Sequence, residues 1–142
     1  MLIKVTKMLT KKDIILSIEK IEKQLARAGF YLKENELDDA LYYVWLAAEN
    51  LINLLKISVN GFYLKDHKEK SDVLKAYYSR SMLNKDYSLV FEKLSKYRLA
   101  AQFEPYTSIP KDYTKDDVNY YLNEILSLKK EIYKFLKEKG KI

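Results

Sequence analysis

The stretch Leu37-Asp-Asp-Ala-Leu-Tyr-Tyr-Val-Trp-Leu-Ala-Ala-Glu-Asn-Leu-Ile-Asn-Leu-Leu55 decides the fold. It holds the single tryptophan, and from Ala40 to Leu55 its one charged residue is Glu49. Leu37, Leu41, Val44, Ala48, Leu51 and Leu55 recur at alternating spacings of four and three, which draws one stripe along an α-helix. Ala40, Ala47 and Leu54 draw a second stripe beside it. Two apolar stripes on one helix require partners on more than one side. The stretch, extended to about residue 58, is therefore expected to be the central helix of a bundle.

The flanking sequence supplies the partners. Thr10-Lys-Lys-Asp13 forms a capping box with Asp in place of the usual Glu. Behind it Ile14, Ile18, Ile21, Leu25, Ala28 and Leu32 mark a helix over about 11–33. Gly29 inside it is either a weak point of about 1 kcal/mol relative to Ala or a site of close helix approach. Asn35-Glu36 then makes a short link, which predicts an antiparallel hairpin. Asn60-Gly61 reads as a left-handed C-terminal cap, with Phe62-Tyr63-Leu64 folding back on the bundle end. A third helix is predicted over 67–80, opened by Asp66 and Glu69 and buried through Val73, Leu74, Tyr77 and Tyr78. A fourth over 87–102, capped by Asp86 or Ser88, buries Val90, Leu94, Tyr97 and Ala101, and it must stop before Pro105. Thr114-Lys-Asp-Asp117 opens a fifth over 115–138, with Val118, Tyr121, Leu122, Ile125, Leu128, Ile132 and Phe135 inward. The expected fold is all-α, an antiparallel up-and-down bundle of about five helices in one domain spanning 1–142.

Composition agrees and narrows the classes. The 142 residues are 48% hydrophobic, with three glycines and two prolines. That favours long helices and a real core. No cysteine occurs, so there is no disulfide framework and no thiolate metal site, and a reducing cytoplasm is the expected location. The longest apolar run is far below the ~18–20 residues of a membrane span. The opening Met1-Leu-Ile-Lys-Val-Thr-Lys7 lacks the apolar centre of a signal peptide. The net charge of +6 is uneven along the chain: net −3 over residues 36–60 and net +4 over 61–103. A basic surface attracts nucleic acid or an acidic protein, although lysines interleaved with acids also describe an ordinary solvated surface.

Few residues carry chemistry. His67 is the one histidine; with no second ligand or base it suits a structural place, or an anion contact at the start of the third helix beside Lys65 and Lys68. No metal and no cofactor is expected. Arg98, with Lys93 and Lys96 near it in sequence, has the planar fork that suits phosphate. Glu49 and Asn50 interrupt the apolar centre of the second helix, and a carboxylate there needs a cation. Arg98 is the expected partner of Glu49. The pairs Tyr42-Tyr43, Tyr77-Tyr78 and Tyr120-Tyr121 each place one ring inward and one outward, and outward rings beside lysines suit bases or a dimer rim. No Gly-rich phosphate loop, zinc motif or nucleophile elbow occurs.

Taken together, Asp38-Asp-Ala-Leu-Tyr-Tyr-Val-Trp-Leu-Ala-Ala-Glu-Asn-Leu51, Asp66-His-Lys68, Tyr97-Arg-Leu-Ala-Ala-Gln-Phe103 and Tyr113-Thr-Lys-Asp-Asp-Val118 resemble the HEPN superfamily. These are helical domains of prokaryotic toxins and of partners to minimal nucleotidyltransferases. The likeness covers roughly residues 11–137 and is nearest to small members with Arg-x-x-Ala-Asp-Tyr after the fourth helix. Arg98 and Ala101 match; Gln102 stands for Asp and Phe103 for Tyr. Ribonuclease members carry a His four to six residues beyond the Arg, and here Phe103, Glu104 and Pro105 follow at the corresponding positions. His67 would have to substitute from another helix, and Tyr106 is one position beyond a tyrosine kept by some toxins. The resemblance thus implies a non-catalytic homodimer that binds a nucleotidyltransferase, a nucleotide or RNA in a toxin–antitoxin-like system. Arg98, Glu49, Asn50, Gln102 and Lys96 are its expected binding residues. Its rivals are an active ribonuclease using Arg98 with His67 or Tyr106, and a purely structural bundle.

Overall fold

Five helices account for the architecture: α1 (Lys11–Lys33), α2 (Leu37–Asn60), α3 (His67–Ser79), α4 (Ser88–Phe103) and α5 (Lys115–Glu138). The computed structural model describes residues 10–60 and 67–142, and the side chains of all of these except 60, 67 and 68. The Asn60-Gly61 cap, the Phe62–Leu64 fold-back and the Asp66 capping box lie outside the described residues. Among those residues no helix is long and apolar enough to cross a membrane.

Local chemistry sets the helix starts. The Asp13 amide donates to Thr10 Oγ1 at 3.1 Å, and the Thr10 amide donates back to Asp13 Oδ2 at 3.1 Å. Thr114 and Asp117 repeat the exchange at 3.2 and 2.8 Å. Each box satisfies two amides that a helix end would leave without partners. α4 starts differently. Its N-cap is Tyr87, which makes no side-chain capping bond; the Asp86 carboxylate takes the Ser88 amide at 2.9 Å, and Ser88 lies inside the helix.

Three helix ends share one device. Asn35, Ser81 and Gly140 have φ of 61°, 61° and 71°. In each case the next amide reaches back over the last turn: Glu36 to the Tyr31 carbonyl, Met82 to Tyr77 and Lys141 to Leu136, at 2.8–2.9 Å. This six-to-one bond closes a helix through a left-handed residue. Of the three, only Gly140 is conspicuous in sequence, because side chains rarely take that conformation.

α2 touches all four other helices. Both of its stripes are buried, and only Leu37 at the end is partly exposed. Contacts between α1 and α2 run in opposite senses, Gln24 with Asn50 and Tyr31 with Tyr43. Those between α4 and α5 do likewise, Tyr87 with Glu131 and Tyr97 with Tyr121. The contacts of α3 with α2, Lys70 with Glu49 and Tyr77 with Lys56, advance in step along both helices. α3 therefore returns its first turn to the middle of α2. Tyr77 is buried and Tyr78 is exposed, so Tyr78 leaves the set expected inside. Gly29 is no site of close approach, since a Cβ there would meet nothing within 4 Å.

Candidate functional site

Arg98 continues the buried stripe of α4. It lies four residues beyond Leu94, which is fully buried, so it shares the face turned to α2. Its guanidinium carbon sits 4.1 Å from the Trp45 ring centroid. Nη1 also donates to Gln102 Oε1 at 2.9 Å, one turn along the same helix. A cation over an indole face is attracted by the ring quadrupole, and the glutamine fixes rotation about the stack. Two restraints thus orient one planar donor group before any ligand arrives.

The stack continues across the bundle. Trp45 meets Tyr42 at 5.9 Å, Tyr42 meets Tyr43 edge-on at 5.3 Å, and Tyr43 stacks on Tyr31 of α1 at 5.7 Å. A second guanidinium, Arg27, lies 5.6 Å over Tyr43 and donates to its hydroxyl at 3.2 Å. A row of aromatic rings therefore spans α1 and α2, with Arg98 of α4 over its Trp45 end and Arg27 over Tyr43. The tyrosines in it are half-buried, while Phe30, packed edge-on against Tyr31, is 59% exposed. Guanidinium groups bind anions and do not act as proton acceptors at ordinary pH, so this surface is suited to binding.

One turn further along α2 the polar residues look elsewhere. Glu49 takes Lys70 Nζ of α3 at 3.4 Å, and Lys70 is only 1% exposed. Lys70 is the cation for Glu49 that the sequence reading missed in favour of Arg98. A signal for it existed: Lys70, Leu74 and Tyr77 are spaced four and three, so extending the α3 stripe back one turn places Lys70 inside. Its neighbour Ser71, also buried, donates to Glu92 Oε1 of α4 at 2.7 Å. Asn50 donates to Gln24 Oε1 of α1 at 3.0 Å, which holds a buried glutamine. Glu49 and Asn50 thus lock α2 to α3 and to α1.

The other candidates separate. Lys96, two residues from Arg98 and so on another side of α4, lines a 640 Å³ cleft between α4 and α5 with Lys93, Leu89 and Tyr120. Neither lysine that sequence placed beside Arg98 shares its face. Tyr106 stands 92% exposed in the segment between α4 and α5. The His67 side chain lies outside the described residues. That segment is pinned by Asp38, which takes the Tyr113 hydroxyl and the Lys111 ammonium at the start of α2. Burial, and then the Asp38 carboxylate, push the Tyr113 hydroxyl well above the usual tyrosine range. Among the described residues no group of three His, Cys, Asp or Glu is placed to hold a metal ion. Comparison with protein-family models, curated proteins and solved structures finds none that matches this chain.

Proposed function

We propose that this chain is a non-catalytic HEPN-like binding protein, a homodimer that presents Arg98 to an anionic group. That group is a phosphate of a nucleotide or RNA, or an acidic side chain of a partner such as a minimal nucleotidyltransferase. The observation that carries the proposal is the clamping of Arg98 between Trp45 and Gln102. A pre-oriented guanidinium loses little freedom on pairing with phosphate or carboxylate, which is the condition for tight anion recognition. Phe103, Glu104 and Pro105, following where ribonucleases of the family carry histidine, support binding over cleavage.

Trp45, the one tryptophan, lies directly under the binding group and is its natural reporter. Titration with RNA or nucleotide is expected to change its emission, and Arg98→Ala to weaken binding about 10–100-fold, the ~1.4–2.8 kcal/mol of a charge-assisted contact. Light scattering after size exclusion is expected to give twice the chain mass. A strict monomer whose emission ignores every anion would end the proposal. Cleavage of RNA by the wild type but not by Arg98→Ala would replace it with the ribonuclease reading, for which exposed Tyr106 is the available side chain.

A further inference from the structure

Folding re-sorts the charges of this chain by end. α1 runs against α5, with Lys129 on Glu22 at 3.0 Å, while Gly29 and Lys33 share a cleft with Lys115 and Asn119. Asp38 at the start of α2 meets Lys111 and Tyr113, and Ala101 of α4 lines the same 490 Å³ cleft. Residues 33–39 and 104–117 therefore form one end of the bundle, and 11–23 with 129–142 form the other. The first end has eight acids and three lysines, net −5. The second has ten lysines and five acids, net +5. Nearly all of these side chains are exposed.

Helices of 23 and 24 residues put the outermost charges about 35 Å apart and the nearest ones, Lys23 from Lys33 and Asp117 from Lys129, about 15–18 Å. Even the nearest spacing is about twice the ~8 Å screening length at physiological salt, so the two poles are largely screened from each other within one molecule. Each pole also carries exposed apolar side chains among its charges. The acidic end has Phe30, Phe103 and Tyr106, at 59, 48 and 92% exposure, and the basic end has Ile15 and Leu16, at 45 and 52%. Apolar anchors inside a polar, charged rim are the composition of a protein–protein contact.

We infer that the two ends are docking surfaces for one another, so that copies of this chain associate head to tail through a salt-sensitive contact. The contact is heterologous: it leaves one free end of each sign and extends into chains or closes as a ring. Its acidic side borders the Arg98 surface, through Phe30 beside Tyr31 and Phe103 next to Gln102, but does not draw on the Arg98 charge, and it adds to any symmetric dimer built there. Opposite poles attract and like poles repel, which sets polarity and rate of encounter.

Sedimentation at ~20 and ~300 mM salt tests this, since the screening length shrinks roughly fourfold between them. Wild-type protein is expected to at least double its average mass at low salt, and Arg98→Ala to do the same. A triple variant Glu34→Lys, Glu36→Lys, Glu104→Lys has two basic ends, and Lys130→Glu, Lys134→Glu, Lys137→Glu has two acidic ends. Each alone is expected to keep its high-salt mass, and an equimolar mixture to form one-to-one pairs at low salt, because one unaltered end of each sign remains. Circular dichroism checks that both are folded, and glutamine replacements at the same positions serve if a reversal is not. A wild-type mass that ignores salt, a triple variant that assembles alone, or a mixture that does not assemble overturns the inference.

Discussion

Two cations meet α2 one turn apart and in opposite situations. Arg98 lies over Trp45 at the rim, half-buried, with its fork turned to a glutamine that is itself exposed. Lys70 lies inside, against Glu49. Desolvating a lysine is unfavourable by several kcal/mol, so it tolerates burial only with its counter-charge in place. An arginine on an indole keeps partial hydration and loses little if the ring is removed. The same helix thus holds one cation inside as structure and meets the other at its rim, and the distinction follows from burial, not from charge.

Removing the inner cation is the strongest attack on that contrast. Lys70→Met leaves Glu49 without its ammonium and is expected to lower stability by about 3 kcal/mol, about 10 °C in melting temperature. Adding Glu49→Leu is expected to restore more than half of this in a double-mutant cycle; a purely additive pair would break the comparison. Alkali attacks the same interior next. Burial pushes the Tyr77 and Tyr121 hydroxyls up to about 12, with Arg80 opposing the shift at Tyr77. Their folded values exceed the unfolded value near 10, so their contribution to stability is complete below pH ~10 and is lost as pH rises through ~12. Tyrosinate absorbance followed with circular dichroism is expected to show these rings ionising together with loss of helix. The outer cation should matter less to stability: Arg98→Ala is expected to lower it by no more than about 1 kcal/mol while abolishing the anion-induced change in Trp45 emission. The smallest effect has the opposite sign and touches neither cation. Gly29→Ala adds a methyl that meets nothing and is expected to stabilise by about 0.5–1 kcal/mol in chemical denaturation.

Much of the fold was legible because its signals are local. Thr10 and Thr114 announce their helix starts through residues three positions away, and α1 and α5 occupy the predicted spans, 11–33 and 115–138. α2 runs two residues beyond its predicted end, and α3 and α4 differ by one. The left-handed ends at Asn35 and Ser81 stayed hidden because neither residue requires that conformation; the six-to-one bond selects it. The candidate site was legible only in part. The need of Glu49 for a cation placed Arg98 against α2, yet it could not choose which residue of α2 Arg98 meets, since Trp45 and Glu49 lie one turn apart on one face. Lys70 drew no reading, although its spacing from Leu74 and Tyr77 continues the α3 stripe. The polarity of the two ends is invisible along the chain, since each end sums two segments far apart in sequence.

The contacts of α2 with all four neighbours bear on motion. A bundle organised in this way has no subset of helices that closes without its second member. Partial opening can release α3, whose described contacts are with α2 and α4, or fray the ends of α1 and α5. The turns of α2 between Ala47 and Ile52, where every side chain other than Glu49 and Asn50 is fully buried, open only with the whole molecule. Their amide protons should be the slowest in the chain to exchange, and their exchange rate a direct measure of global unfolding.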